Sequence, residues 1–339
     1  MKSKINSKDI NKCQKIINNL KNNYKKEIIG QDNLFNSILI SLISNSHILI
    51  ESVPGLAKTT AAKTIASAVN ASFKRIQCTP DLLPNDIIGT QIFNHSTNKF
   101  ETKLGPIFSN FVLIDEINRS NSKTQSATLE TMQEKQITID GIKYELPEIF
   151  IVIATENPIE QDGTYNLSEA QLDRFLIKEK LDYPTIDEEI KILDTIENNI
   201  ENSKTSITLD DLKYLQDISN KVYVDESIKE YIAKIIDATR NPQKYLSTEL
   251  NEYIEYGSSP RGSISFLKAA KALAIINGRD YVTPDDIKDL KYVILRHRIK
   301  LNILSITNDI SIETIIDAIF DSISTPWKTL KNSFKLKQI

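Results

Sequence analysis

Only two cysteines, Cys13 and Cys78, occur in 339 residues, far apart and at no metal-ligand spacing. So few thiols exclude a disulfide scaffold and fit a reducing compartment. Long apolar runs are missing too. The greasiest early stretch, from Ser37 to Ile50, is interrupted by Ser44, Asn45, Ser46 and His47, which makes it too short and too polar to span a bilayer. The opening MKSKINSKDINKC carries charge but no apolar core, so no signal peptide is expected. There is no block of single-sign charge: 42 basic and 45 acidic residues mix along the chain to a net −3. That distribution gives no footprint for nucleic acid or an anionic membrane. Internal repeats and extended low-complexity segments are absent as well. A cytoplasmic protein without membrane insertion is the expectation.

What is present is a globular composition, 40% hydrophobic and 26% charged, on a chain long enough for one large core and a smaller second domain. Helical spacing marks residues 8–25 and 31–44, the latter with Leu34, Ile38 and Leu42 on one face. Short apolar runs follow at 48–50, 73–78, 111–115, 150–155 and 175–181, mostly separated by helical patterns. Such alternation predicts a parallel five-stranded sheet with crossover helices, an α/β fold. Thr185-Ile186-Asp187-Glu188 and Ser168-Glu169-Ala170-Gln171 both read as capping boxes at helix starts. Beyond about residue 205 the pattern is helical only, at 209–219, 226–240, 262–276, 284–297 and 311–323, with Thr283 and Pro284 as cap and first helical residue. The reading is therefore an α/β core over 1–204 and a helical domain with a short C-terminal extension over 205–339.

The chemistry centres on Ser52-Val53-Pro54-Gly55-Leu56-Ala57-Lys58-Thr59-Thr60, between an apolar strand and a helix. A phosphate loop needs inward backbone N–H groups, a helix N-terminus facing the anion, a lysine for the terminal phosphates and a hydroxyl for Mg²⁺. Lys58 and Thr59 stand where those last two roles fall, and Gly55 permits close backbone approach. Ser52 and Ala57, however, replace both glycines of G-x-x-x-x-G-K-[ST], so the pattern alone suits an ordinary strand–turn–helix equally well. Phe111-Val112-Leu113-Ile114-Asp115-Glu116 adds a buried strand ending in two acids, which a solvated turn would also explain. Paired with a phosphate loop, Asp115 becomes a holder of Mg²⁺ through water and Glu116 the residue that polarises the attacking water. Asn157, after a third apolar strand, is placed to hydrogen-bond that water or the γ-phosphate.

With these stations in order, the chain resembles the MoxR family of AAA+ ATPases, densely over 27–182 and more thinly over 255–320. The stretches that carry the resemblance are Ile29-Gly30-Gln31, Pro54-Gly55-Leu56-Ala57-Lys58-Thr59, Thr79-Pro80-Asp81-Leu82-Leu83-Pro84, Gly105-Pro106-Ile107-Phe108, Asp115-Glu116-Ile117-Asn118-Arg119, Asn157-Pro158-Ile159-Glu160-Gln161 and Glu169-Ala170-Gln171-Leu172-Asp173-Arg174-Phe175. An alanine before the phosphate-loop lysine is the family's own pattern, whereas Ser52 departs from it and narrows the turn.

The resemblance implies ATP and Mg²⁺ as ligands. Residues Val53, Pro54, Gly55, Leu56, Ala57, Lys58, Thr59, Thr60 and Asp115 would bind them, with Thr59 and Asp115 toward the metal. It implies Asn157 as a first sensor, Arg174 as an arginine finger reaching a neighbouring subunit, and Arg261, in Ser259-Pro260-Arg261, as a second sensor. Arg119 is a further candidate for an intersubunit face or a plain surface residue.

Two strand–turn–strand patterns, 90–102 and 136–146, resemble hairpins that point to a ring's pore; there Phe93, Phe100 and Tyr144 would grip substrate or simply pack. His297 lacks partners at ligand spacing for zinc, and the basic tail from Thr325 to Ile339 has no functional account. The leading function is an ATP hydrolase that remodels or activates partner proteins as a ring homo-oligomer, expected to be a hexamer, with a von Willebrand factor A domain protein as partner. A DNA-remodelling motor and an ATP-switched adaptor with little turnover are the alternatives.

Overall fold

A computed structural model of the protein describes residues 5–159, 163–197 and 207–326. The chain forms two compact units, residues 15–216 and residues 1–14 with 217–339. The boundary expected at 204/205 lies outside the described residues, as do Glu160, Gln161 and most of the basic tail.

In the first unit the strands are β1 (Ile48–Glu51), β2 (Phe73–Gln77), β3 (Gly89–Asn94), β4 (Lys99–Leu104), β5 (Phe111–Asp115), β6 (Gln136–Ile139), β7 (Ile142–Glu145), β8 (Ile151–Glu156) and β9 (Ile177–Lys180). Five of them make a parallel sheet in the order β2-β5-β8-β1-β9. The expected strands are all there, although the last is shorter than the apolar run that suggested it. β5 and the body of β8 are wholly buried, which is why they read as unbroken runs of Phe, Val, Ile and Leu. The edge strands carry the charge instead: β2 is Phe-Lys-Arg-Ile-Gln and β9 is Ile-Lys-Glu-Lys.

The helices of this unit begin with α1 (Ser7–Glu27), which starts in the other unit, and continue with α2 (Asp32–Ile43), α3 (Lys58–Ala68), α4 (Pro84–Ile88), α5 (Ser122–Glu134), α6 (Glu169–Leu172) and α7 (Ile186–Glu197). One core cluster gathers Leu49, Val112, Ile114, Val152, Phe150 and Phe175. Both capping boxes form: Gln171 Oε1 accepts from Ser168 N at 2.8 Å and Glu188 Oε2 from Thr185 N at 2.8 Å.

Both hairpins form as expected, pairing β3 with β4 and β6 with β7. Asp140 and Gly141 make the second turn with φ of 48° and 82°, the left-handed pair that such a two-residue loop requires. At the base of the first hairpin, a Cβ on Gly105 would lie 2.1 Å from the Ile87 carbonyl oxygen, so the backbones meet there only because the residue is glycine. The aromatic residues divide. Tyr144 packs edge-on against Phe108 and its hydroxyl donates to Thr102 Oγ1 at 2.8 Å, joining the two hairpins. Phe93 and Phe100 stack edge-to-face at 5.3 Å on the exposed surface.

The second unit contains most of the remaining helices, from the shared α8 (Leu209–Lys221) through α9 (Glu226–Arg240), α10 (Thr248–Asn251), α11 (Pro260–Ile276), α12 (Pro284–Asp289), α13 (Lys291–Leu295), α14 (Ile303–Thr307) and α15 (Ile312–Ser322). Two corrections to the sequence reading apply here. The helix expected over 284–297 breaks at Leu290 (φ −91°, ψ −3°) into α12 and α13. The unit is also not purely helical: β10 (Ile254–Tyr256) and β11 (Lys300–Leu301) form a small antiparallel ladder. Strands of two and three residues are too short to show a period of two, so no pattern announced them.

The α/β core rests on few large side chains. Phe175 is completely buried, and Phe175→Ala should cost roughly 3–5 kcal/mol, from lost transfer energy and the cavity left behind. A fall in the urea midpoint at unchanged slope checks it.

Candidate active site

The site lies at the carboxyl ends of β1, β5 and β8, where an open parallel sheet binds ligands. After β1, Ser52 N donates to Glu156 O at 3.1 Å, which extends the sheet by one residue. Ser52 is buried and turns its hydroxyl onto Val53 O at 3.1 Å, so its side chain is absorbed by the loop itself. The chain then passes Val53, exposed Pro54 and exposed Gly55 (φ 86°), with Leu56 anchored in the interior. Ala57 adopts φ 48° and ψ 14° as the residue preceding α3. That left-handed conformation is the one a glycine takes without penalty. No side chain caps α3, so the N–H groups of its first turn, from Lys58, Thr59 and Thr60, face the loop as donors for an anion.

Lys58 decides whether the distant motifs meet. Its Nζ lies 3.5 Å from Val53 O. Burial lowers its pKa from the ordinary lysine value, and the charges of Asp115 and Glu116 oppose that shift. The elements that carry them, α3 and β5, pack together within this unit, so the lysine and both acids stand close enough for their charges to act on one another.

The two acids are held differently. Asp115 is buried at the end of β5; its Oδ1 accepts from Thr155 Oγ1 at 2.7 Å and its Oδ2 from Arg75 Nη2 at 2.6 Å. Glu116 leaves the strand in a left-handed conformation, φ 57° and ψ 53°, and opens a 3-10 turn over Ile117–Arg119. Its N–H donates to Thr155 Oγ1 at 2.8 Å, and its Oε2 accepts from Gln77 Nε2 at 3.1 Å and lies 3.4 Å from Arg119 Nε. Arg119 is thus a partner of Glu116.

Asn157 is buried after β8. Its Oδ1 accepts from Ile159 N at 3.2 Å and its backbone oxygen from Asn118 Nδ2 at 3.3 Å, so the Nδ2 end of the Asn157 amide is the one available to a ligand. Arg174 follows α6 and is half-buried; its Nε is enclosed with no hydrogen-bond partner among the described residues. Arg261 belongs to the helical unit, exposed in the first turn of α11, where its N–H donates to Ser259 Oγ at 3.0 Å.

Sequence reasoning overlooked Arg75, Gln77 and Thr155. A signal existed for each. Arg75 and Gln77 are two residues apart on β2 and so share a face. Thr155 is a hydroxyl in a strand otherwise built from Ile, Val and Ala.

Mg²⁺ binds oxygen ligands and keeps several waters, using one or two carboxylates together with substrate phosphates. A single acid at β5 and the Thr59 hydroxyl at the start of α3 could supply the protein's share. Among the described residues no cluster of three or more His, Cys, Asp or Glu side chains forms an all-protein cage.

The family described as "ATPase family associated with various cellular activities (AAA)" matches residues 47–177, and the "AAA lid domain" family matches 246–319. Chaperone MoxR1 of Mycobacterium tuberculosis is 41% identical over 302 residues, covering 89% of this chain and 80% of that protein. The uncharacterized protein YeaC of Bacillus subtilis is 42% identical over 301 residues, covering 88% and 91%. The chain belongs to the MoxR family of AAA+ ATPases. A solved structure of a Cytophaga hutchinsonii protein, 43% identical, superposes with a TM-score of 0.88 over 94% of this chain and 97% of that one. As a MoxR-family member the protein is a nucleotide-binding ATP hydrolase, with an AAA+ core and lid. No helix among the described residues is long and apolar enough to cross a membrane.

Beside the phosphate loop of this MoxR-family core, Lys178 Nζ lies 2.7 Å from Glu51 Oε2 and 2.5 Å from Glu156 Oε1. The acids that end β1 and β8 therefore share one cation from within β9. Burial pushes the Glu156 carboxyl above its ordinary pKa despite Lys178, and Glu51 pushes it further. Burial alone would lower Lys178, but Glu156 and then Glu51 hold it above the lysine range. Lys178→Met should cost roughly 3–5 kcal/mol, because the two largely buried acids lose the cation between them. Glu156, already raised by burial, then also loses the cation that opposes that rise. The stability such groups contribute is present below the unfolded carboxylate pKa and lost as pH rises through the folded one. Urea unfolding should accordingly show a larger deficit near about pH 8 than near about pH 5.

Proposed function

We propose that this MoxR-family chain hydrolyses Mg²⁺-ATP as a cytoplasmic ring homo-oligomer, a hexamer, and uses the energy to remodel or activate partner proteins. The observation that carries the reading is the parallel strand order β5-β8-β1, which brings the loop before Lys58, Asp115 with Glu116, and Asn157 to one edge of the sheet. Lys58 and the backbone N–H groups between Val53 and Thr60, Pro54 having none, bind the phosphates, and Thr59 and, through water, Asp115 hold the metal. Mg²⁺ neutralises charge on the β- and γ-phosphates when bound. Glu116 polarises the attacking water and Asn157 orients it, or the γ-phosphate, with its Nδ2. Arg174 supports the reaction in a neighbouring subunit, where a guanidinium meets the charge that develops in phosphoryl transfer. Arg261 reads the nucleotide from the lid.

A relative named as a chaperone, at 41% identity, supports the remodelling role. The exposed Phe93–Phe100 pair on the first hairpin is suited to gripping a client segment. A von Willebrand factor A domain protein is the proposed partner.

Steady-state hydrolysis by the wild type, Lys58→Ala, Glu116→Gln and Arg174→Ala tests the site. Glu116→Gln should lose roughly 10²–10⁴-fold in kcat while still binding ATP. Arg174→Ala should lose roughly 10³-fold or more with nucleotide binding kept. Lys58→Ala should lose ATP affinity itself. Equal rates in all four proteins would dispose of the reading. Light scattering of Glu116→Gln with ATP should show a species of about six chains, in keeping with closed symmetric assembly. A monomer under those conditions rejects the ring.

A further inference from the structure

Thr155 is completely buried near the end of β8, after Ile151, Val152, Ile153 and Ala154. An enclosed hydroxyl costs free energy unless its hydrogen-bonding capacity is used. Here both functions are engaged, and with one acid each. Oγ1 accepts from the Glu116 N–H at 2.8 Å and donates to Asp115 Oδ1 at 2.7 Å. The directions follow from chemistry, since the amide can only donate and an ionised carboxylate can only accept.

The location explains why a side chain is needed. Parallel pairing of β5 with β8 ends at Ile114↔Ala154, so the backbone ladder does not reach Glu116. Immediately beyond, Glu116 turns into the left-handed region at φ 57° and ψ 53°, which a residue with a Cβ adopts only when its surroundings enforce it. The Thr155 hydroxyl is the group that fastens the Glu116 amide in that turn.

We infer that Thr155 is a positioning residue for hydrolysis: one hydroxyl sets the direction of Asp115 and the backbone of Glu116 together, and so fixes the spacing between the metal-side acid and the water-side acid. The inference rests on reading these residues as the hydrolytic carboxylate pair. Thr155 makes no hydrogen bond to the phosphate loop, whose Lys58 instead contacts Val53 O. Its loss should therefore alter turnover rather than nucleotide affinity.

Thr155→Val, which keeps the shape, and Thr155→Ala, which cannot clash, are compared with Thr155→Ser, each checked by thermal unfolding. The valine and alanine variants should lose about tenfold or more in kcat, while a fluorescent ADP analogue without Mg²⁺ binds within about twofold of wild type. Serine, which restores the hydroxyl, should recover most of the rate. In a Glu116→Gln background, Thr155→Val should subtract less than about twofold more, as expected when two residues act through one step. Wild-type turnover in either hydroxyl-free variant, or a serine variant no better than alanine, overturns the assignment. Normal hydrolysis by Glu116→Gln alone removes the carboxylate reading beneath it, a separate and recognisable outcome.

Discussion

β8 pairs with β5 on one side and β1 on the other, and the arrangement of the site follows from that double pairing. Parallel strands share a direction, so the chain leaves all three at the same edge of the sheet. The phosphate loop, Asp115 with Glu116, and Asn157 are remote in the chain, yet they leave adjacent strands at that edge. Two-sided burial of β5 and β8 makes the register costly to change, because a slip of one residue would drive Asp115 or Thr155 into a wholly apolar layer.

Around this edge, few polar groups stand alone. Asp115 is held from β2 by Arg75 and from β8 by Thr155; Glu116 is held from β2 by Gln77 and from its own turn by Arg119. On the far side of β8, Lys178 draws Glu51 and Glu156 together under the loop. Two polar networks thus flank the loop that follows β1, one at the ends of β2, β5 and β8 and one across β8, β1 and β9. Ala57 and Glu116 are two of the nine described non-glycine residues in left-handed backbone. Positions of that kind persist where surrounding contacts over-determine them, and Glu116 is held in this way by Thr155, Gln77 and Arg119.

The helical unit illustrates the limit of periodicity. Its long helices, α9, α11 and α15, announce themselves by apolar spacing, and Thr283 and Pro284 mark the start of α12. The break at Leu290 and the β10–β11 ladder do not, since each is settled by packing over distances shorter than one pattern repeat. Tyr144 shows the same ambiguity in the core: hairpin aromatics look alike in sequence, but its hydroxyl is bonded to Thr102 while Phe93 and Phe100 remain exposed.

From the sequence alone came the fold class and the family, with the phosphate loop and the acid pair as candidates, because each is written in neighbouring residues: an apolar run, a turn, a lysine with a hydroxyl, two carboxylates. Local sequence marks Arg75, Gln77 and Thr155 only by their place in a strand, and gives Lys178 no role. Each acquires its role from a partner on another strand, and strand order is settled by burial of whole elements rather than by any local pattern. Local chemistry named the groups, and long-range packing chose their neighbours.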